Sequence, residues 1–176
     1  MVEARNAFFA NLRTKLAMAK EEMAHIDDLL RRKDEVDEGF RWAITSALAL
    51  GIHNVYNGLE DVLLTIARQL DRHVPVGSSL RQEILDQMTT PIRDCRPAVL
   101  DKTTYDIFCE LKSFRHLVRH RYGFFLDLKR VLPMVETAQR AFISLKTSID
   151  DLEALLTDPL PSPDEAESAS RGPEPA

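Results

Sequence analysis

Apolar residues along this chain recur at steps of three and four, the period of a helix with one buried face. Phe8, Phe9, Leu12, Leu16, Met23, Ile26 and Leu30 follow this rhythm and predict a first helix from about residue 3 to 36. A second is predicted from about 38 to 72, where Ile52, Val55, Leu59, Leu63, Ile66 and Leu70 make the stripe. Gly51 marks a candidate kink in it, and Trp42 near its start is expected in the core. His73-Val74-Pro75-Val76-Gly77 breaks the pattern. Ser78 or Ser79 can cap a short third helix ending near Met88. A loop with prolines near both ends covers 89–97, and a fourth helix runs from after Pro97 to about Arg121, with Gly123 as its stop. The fifth spans about 126–157 and holds Pro133 in its first turns.

Long helices joined by short connections imply an all-α fold. The expected architecture is an up-and-down bundle of four main helices plus a short one. Six glycines and few β-branched runs agree with it. One domain is expected over 1–157. Residues 158–176 are rich in Pro, Ser, Ala and acid and read as a disordered tail. That tail carries a net charge of −4 out of −5 for the whole chain, so the helical part is near neutral and a local basic patch is not swamped.

The two cysteines, Cys95 and Cys109, form no CxxC or Cys/His ligand spacing, and Met1–Asn6 lacks the apolar run of a secretory leader. A reduced, cytoplasmic setting is expected, with no metal and no cofactor. The most apolar stretch, 43–52, is too short to span a bilayer. No P-loop is present. Gly77-Ser78 resembles the opening of a nucleotidyltransferase site, but Asp86-Gln87-Met88 lacks the second acid such a site needs. His25 and His73 have no constellation around them and read as surface residues.

The candidate chemistry lies near the end of the fourth helix, in Arg115-His116-Leu117-Val118-Arg119-His120-Arg121-Tyr122, which reads R-x4-H-x-Y. On a helical wheel Arg115, Arg119 and Tyr122 form one stripe, and His116 and His120 a second that faces away from the core. Lys112, Lys129 and Arg130 add positive charge nearby. RNA brings its own nucleophile, the 2′-hydroxyl. Cleavage then needs a proton acceptor, a charge for the phosphorane and a proton donor for the leaving 5′-oxygen. His120 can carry a proton either way near neutrality, and Arg115 can hold the non-bridging oxygens. The second proton carrier can be a facing copy of the motif across a two-fold axis, or His116 of the same chain. Taken alone, an Arg and a His at this spacing read as a solvated basic helix face. Tyr122 alone reads as an aromatic packed at a helix end.

The segment 114–123 resembles the signature of HEPN domains, specifically the HepT-like ribonuclease toxins. In that signature an Arg followed by Asn, Asp or His precedes a His and then x-Tyr. Arg115-His116, His120 and Tyr122 match it position for position. His53-Asn54-Val55-Tyr56-Asn57-Gly58-Leu59-Glu60 and the stretch from Pro75 to Met88 are similar to the family's second helix and following loop. A Trp-His pair that relatives often carry is replaced here by Leu80-Arg81.

The resemblance implies a homodimer with two motifs in one inter-subunit cleft and a metal-independent endoribonuclease activity on RNA. Arg115 and His120 would be catalytic, with His116, Arg119 and Lys112 binding RNA. It also implies a toxin–antitoxin pair of the type VII kind. The partner would be an MntA-like nucleotidyltransferase that silences the toxin by adding AMP to Tyr122, putting anionic phosphates against the arginines. His53, Asn54, Tyr56 and Glu60 are expected to line or support the cleft; Tyr56 and Glu60, one turn apart, are expected as a hydrogen-bond pair within the fold, with Glu60 alternatively a candidate partner of Arg115. The competing reading is a non-catalytic helical module whose amphipathic first and fifth helices bind a nucleotidyltransferase or whose basic helix binds RNA.

Overall fold

The computed structural model describes residues 2–120 and 127–157, and for Val2 and His120 the backbone alone. Arg121, Tyr122, Gly123 and the acidic tail lie outside the described residues. The elements are α1 (Val2–Arg32), α2 (Arg41–Ile66), α3 (Leu80–Thr89), α4 (Lys102–His120) and α5 (Leu128–Thr157). A single 3-10 turn, Glu38–Phe40, leads into α2, and a π-turn, Ala67–Asp71, ends it. No strand occurs among the described residues, so the all-α expectation holds.

Polar pairs along the helices fix their directions. Asn54 donates to Glu22 at 3.1 Å and Lys15 pairs with Asp61, so α2 runs antiparallel to α1. Arg5 donates to the Leu156 carbonyl at 2.7 Å, Arg13 pairs with Glu153, and Gln139 donates to Asp27 at 3.2 Å, so α5 also runs antiparallel to α1. Arg115 of α4 meets Asn57 of α2, while the start of α4 lies near the far end of α2. The result is an up-down-up-down bundle with α3 bridging α2 to α4. Phe9, Leu12, Ile52, Leu59, Phe108 and Leu145 are among its buried centre. The residue-by-residue stripes of the sequence are therefore the buried faces.

Three local expectations are corrected. α2 passes through Gly51 as unbroken helix. A Cβ at Gly51 would sit 2.7 Å from Ile26 Cγ1, so this glycine allows close approach of α1 rather than a bend. Trp42 is 59% exposed, on the solvent side of the first turns of α2, and is not a core residue. α1 ends at Arg32, four residues before the expected Val36, where the apolar rhythm has already stopped.

The end of α2 holds a feature with no local sequence signature. The π-turn closes on Arg72, a left-handed residue at φ 56°. Asp71 there meets Arg96 from the 89–97 loop in a bidentate ion pair, Nε–Oδ1 and Nη2–Oδ2 both 2.6 Å. The two side chains are 0% and 1% exposed, Arg96 the first. Arg96 also donates to the carbonyls of Thr90, Pro97 and Gln87, so its donors are well occupied.

Capping differs between α3 and α4. Ser79 is the N-cap of α3, as one of the two expected residues, but its hydroxyl bonds the Glu83 carboxylate and no backbone amide. Asp101 does cap α4: its Oδ1 accepts from the Thr104 amide at 2.7 Å. That bond holds its carboxyl below the usual aspartate range. Asp101→Ala is expected to lower stability by about 1 kcal/mol in urea unfolding at neutral pH. A depressed carboxyl contributes above the unfolded pKa of about 3.9 and loses its contribution as pH falls through the lower folded value. The parent–variant difference should therefore vanish in strong acid; a difference that persists there contradicts the capping role.

Candidate nucleic-acid interface

α4 carries the motif on its last turns because its apolar residues Ile107, Phe108, Leu111 and Phe114 are buried toward α2 and α5. The next positions around the helix are left half-buried or exposed: Arg115 half-buried, His116 and Arg119 exposed. The Tyr56 and Phe108 rings, with centroids 6.3 Å apart, join α2 to α4 beneath this surface.

A cleft of about 430 Å³ opens between α4 and the start of α3. Ser78, Ser79, Arg81 and Gln82 form one wall, and Lys112, Ser113, Arg115, His116 and Arg119 the other. Among the described residues, four cations line it and no carboxylate does. The positive end of the α3 helix dipole adds to the same field. An anion is the ligand such a surface attracts.

Two of these cations are held from α2. Arg115 Nε donates to Asn57 Oδ1 at 2.7 Å, which fixes the plane of its guanidinium. Arg81 Nε lies 3.0 Å from Glu60 Oε1 as an ion pair, although its N–H is not aligned on the oxygen. Glu60 accepts in turn from the Tyr56 hydroxyl at 3.1 Å. The expected Tyr56–Glu60 pair thus holds, but Glu60 meets Arg81 and not Arg115. Glu60 lies three residues after Asn57 on α2, so one helix face offers an amide to α4 and a carboxylate to α3. Lys112 is held across the cleft by Gln82.

The arginines crowd one another. Burial, then the charge of Arg81, eases deprotonation of Arg115, with Arg119 adding to the effect and Glu60 opposing it. His53 of α2 lies in the same field. Burial first, then Arg115, Arg119 and Arg81, push its pKa below the ordinary histidine value. Its Nδ1 is buried and has no hydrogen-bond partner among the described residues. His53 therefore supports the cleft as an uncharged ring near neutral pH. Tyr56 is held protonated, chiefly by burial and then by the charge of Glu60.

The structure thus brings Lys112, Arg115, His116 and Arg119 to one wall. The backbone of His120 ends α4 one residue after Arg119, while its side chain and Tyr122 lie outside the described residues. Nothing in the sequence alone assigns a role to Arg81, Gln82 or Asn57. They are distant from the motif along the chain, and only the packing of α3 and α2 on α4 shows their relation to it.

No group of three or more His, Cys, Asp or Glu residues is arranged to hold a metal ion among the described residues. Among them, too, no helix is long and apolar enough to cross a membrane. His25 and His73 are exposed, as expected. Cys95 and Cys109 are free thiols.

Comparison with curated proteins and with solved structures gives no match. A family model described as HepT-like protein matches residues 47–156, a span that contains every residue of the cleft and most of α2. With more than half of its length matched, and with the basic cleft built on the fourth helix of an all-α bundle, the chain belongs to the HepT-like family.

Proposed function

We propose that this protein is a metal-independent endoribonuclease, the toxin of a toxin–antitoxin pair, acting in the cytoplasm as a homodimer. The observation that carries this reading is the cleft wall itself. Arg115 is braced by Asn57 at 2.7 Å among Arg81, Lys112 and Arg119, with no carboxylate among the described lining residues to repel a phosphodiester. Membership of the HepT-like family supports it.

In this mechanism His120 takes the proton of the RNA 2′-hydroxyl, and the 2′-oxygen forms a bond to the adjacent phosphorus. Arg115 neutralises the growing charge on the non-bridging oxygens. The bond to the 5′-oxygen breaks, and a second histidine, His120 of a facing copy or His116, protonates it. Water is not consumed, so the products are a 2′,3′-cyclic phosphate and a 5′-hydroxyl. Arg119, Lys112 and His116 hold the flanking backbone. Control is by an MntA-like nucleotidyltransferase. The Tyr122 oxygen attacks the α-phosphorus of ATP, losing its proton as pyrophosphate leaves, and the added AMP occupies the anion site.

The test is labelled transfer and messenger RNA incubated with the purified chain in EDTA, beside His120→Ala. The parent should cut and the variant should not, with cyclic phosphate ends on the products. Cleavage that appears only with added Mg²⁺ contradicts the mechanism. If neither protein cuts, intact mass decides: added AMP units identify a silenced toxin, and an unmodified inactive chain identifies a binding module.

A further inference from the structure

We propose that Arg81, on α3 across the cleft from the motif helix, is a second phosphate-holding residue, aimed at its ligand by the Tyr56–Glu60 pair.

Arg81 stands at the second residue of α3, beside the Ser78 and Ser79 hydroxyls that also line the cleft. Its Nε side rests 3.0 Å from a carboxylate that is only 7% exposed. Glu60 is itself tethered by the buried Tyr56 hydroxyl, one turn back on α2. A guanidinium presents five donors in a rigid plane, and one ion pair at Nε leaves the other edge of that plane for another acceptor. The Arg81 side chain is 38% exposed, and its exposed part forms cleft wall.

Electrostatics point the same way. One carboxylate stands behind a cleft lined by four cations. Among the described residues Glu60 offsets one of them, and no ion pair offsets the rest. Arg81 is near enough to Arg115 to raise the cost of the Arg115 charge. An arginine needed only to pair with Glu60 would be better placed away from Arg115. A bridging anion relieves this repulsion, and a phosphodiester chain carries one charge per nucleotide to both walls. The scissile phosphate lies against Arg115 in the nuclease mechanism, so the phosphate that Arg81 takes is a neighbouring one, and RNA must cross the cleft from α4 to α3.

This role for Arg81 rests on RNA being the ligand, but it does not require cleavage. The probe is a fluorescent single-stranded RNA with 2′-O-methyl sugars, which cannot be cut through its 2′-oxygen. Its affinity for the full chain is measured over a range of KCl concentrations in EDTA. For a single strand, each phosphate that the protein no longer neutralises lowers the slope of log affinity against log salt by about 0.7. Arg81→Gln should show that smaller slope and bind several-fold more weakly, while Arg81→Lys keeps the parent slope. Because Arg81→Gln strands a buried carboxylate, the decisive comparison is the double variant Arg81→Gln/Glu60→Gln against Glu60→Gln alone. The same fall in slope is expected there. Equal slopes and affinities in that comparison overturn the proposal and make Arg81 a structural partner of Glu60. A parent of unmodified mass that binds the probe but leaves ordinary RNA intact refutes the nuclease reading and not the role of Arg81. A parent of unmodified mass with no salt-dependent binding overturns both.

Discussion

Arg115→Ala is expected to slow RNA cleavage in EDTA by about 10²–10³-fold, the usual loss when one donor to a developing oxyanion is removed. The effect should fall mainly on kcat, because the phosphorane carries more charge than the bound diester. Arg115→Lys should recover only part of the rate. Lysine restores a point charge but lacks the planar guanidinium that Asn57 orients from α2. Initial rates on a labelled RNA across substrate concentration separate the two parameters. An alanine variant within about threefold of the parent would remove Arg115 from the chemistry, since that is far short of an oxyanion donor's effect. The comparison is clean because Arg115 is half-buried at the margin of the core, so its loss leaves the α4 apolar face intact.

The largest stability effect is expected far from the cleft. Arg96→Ala leaves Asp71 as an unpaired charge with a side chain 1% exposed. Breaking one side of such a pair costs about 3–5 kcal/mol. At about 2–4 °C per kcal/mol for a chain of this size, Tm should fall by about 6–20 °C. The variant also strands the carbonyls of Thr90, Pro97 and Gln87 that Arg96 satisfies. Replacing both partners by apolar residues, as in Asp71→Leu/Arg96→Met, should recover much of the loss, because no buried charge then remains. A single variant melting within about 2–3 °C of the parent would mean that water reaches Asp71.

These two sites show what a sequence does and does not disclose. The stripes of α1, α2 and α5 are legible because burial of one helix face repeats with a fixed period. The motif on α4 is legible because its residues are neighbours in the chain. Trp42 departs from its expected place because aromatic character alone does not say which side of a helix faces the bundle, and here the side is solvent. Gly51 reads as a kink because glycine weakens helices, whereas its bare Cα serves Ile26 on another helix. Arg81 reads only as a departure from the Trp-His pair of relatives, and Glu60 as half of a pair within the fold or a partner for Arg115. The pairing of Arg81 with Glu60 across 21 positions depends on where α3 packs, which no local pattern specifies. The same holds for Arg96 and Asp71, 25 positions apart.

The bonds from Arg5 to Leu156 and from Arg13 to Glu153 bring the first turns of α1 and the last turns of α5 together. They meet beside Gln69, Leu70 and Arg72, at the close of α2. Asn57 and Glu60, which brace the cleft, lie some nine or more residues earlier on that helix, about 15 Å away at the helical rise. The bundle thus has a handle end and a working end. A linker, label or surface attachment joined at the start of α1 or the close of α5 is anchored at the handle end, so the protein can be tethered or fused at a point removed from the cleft.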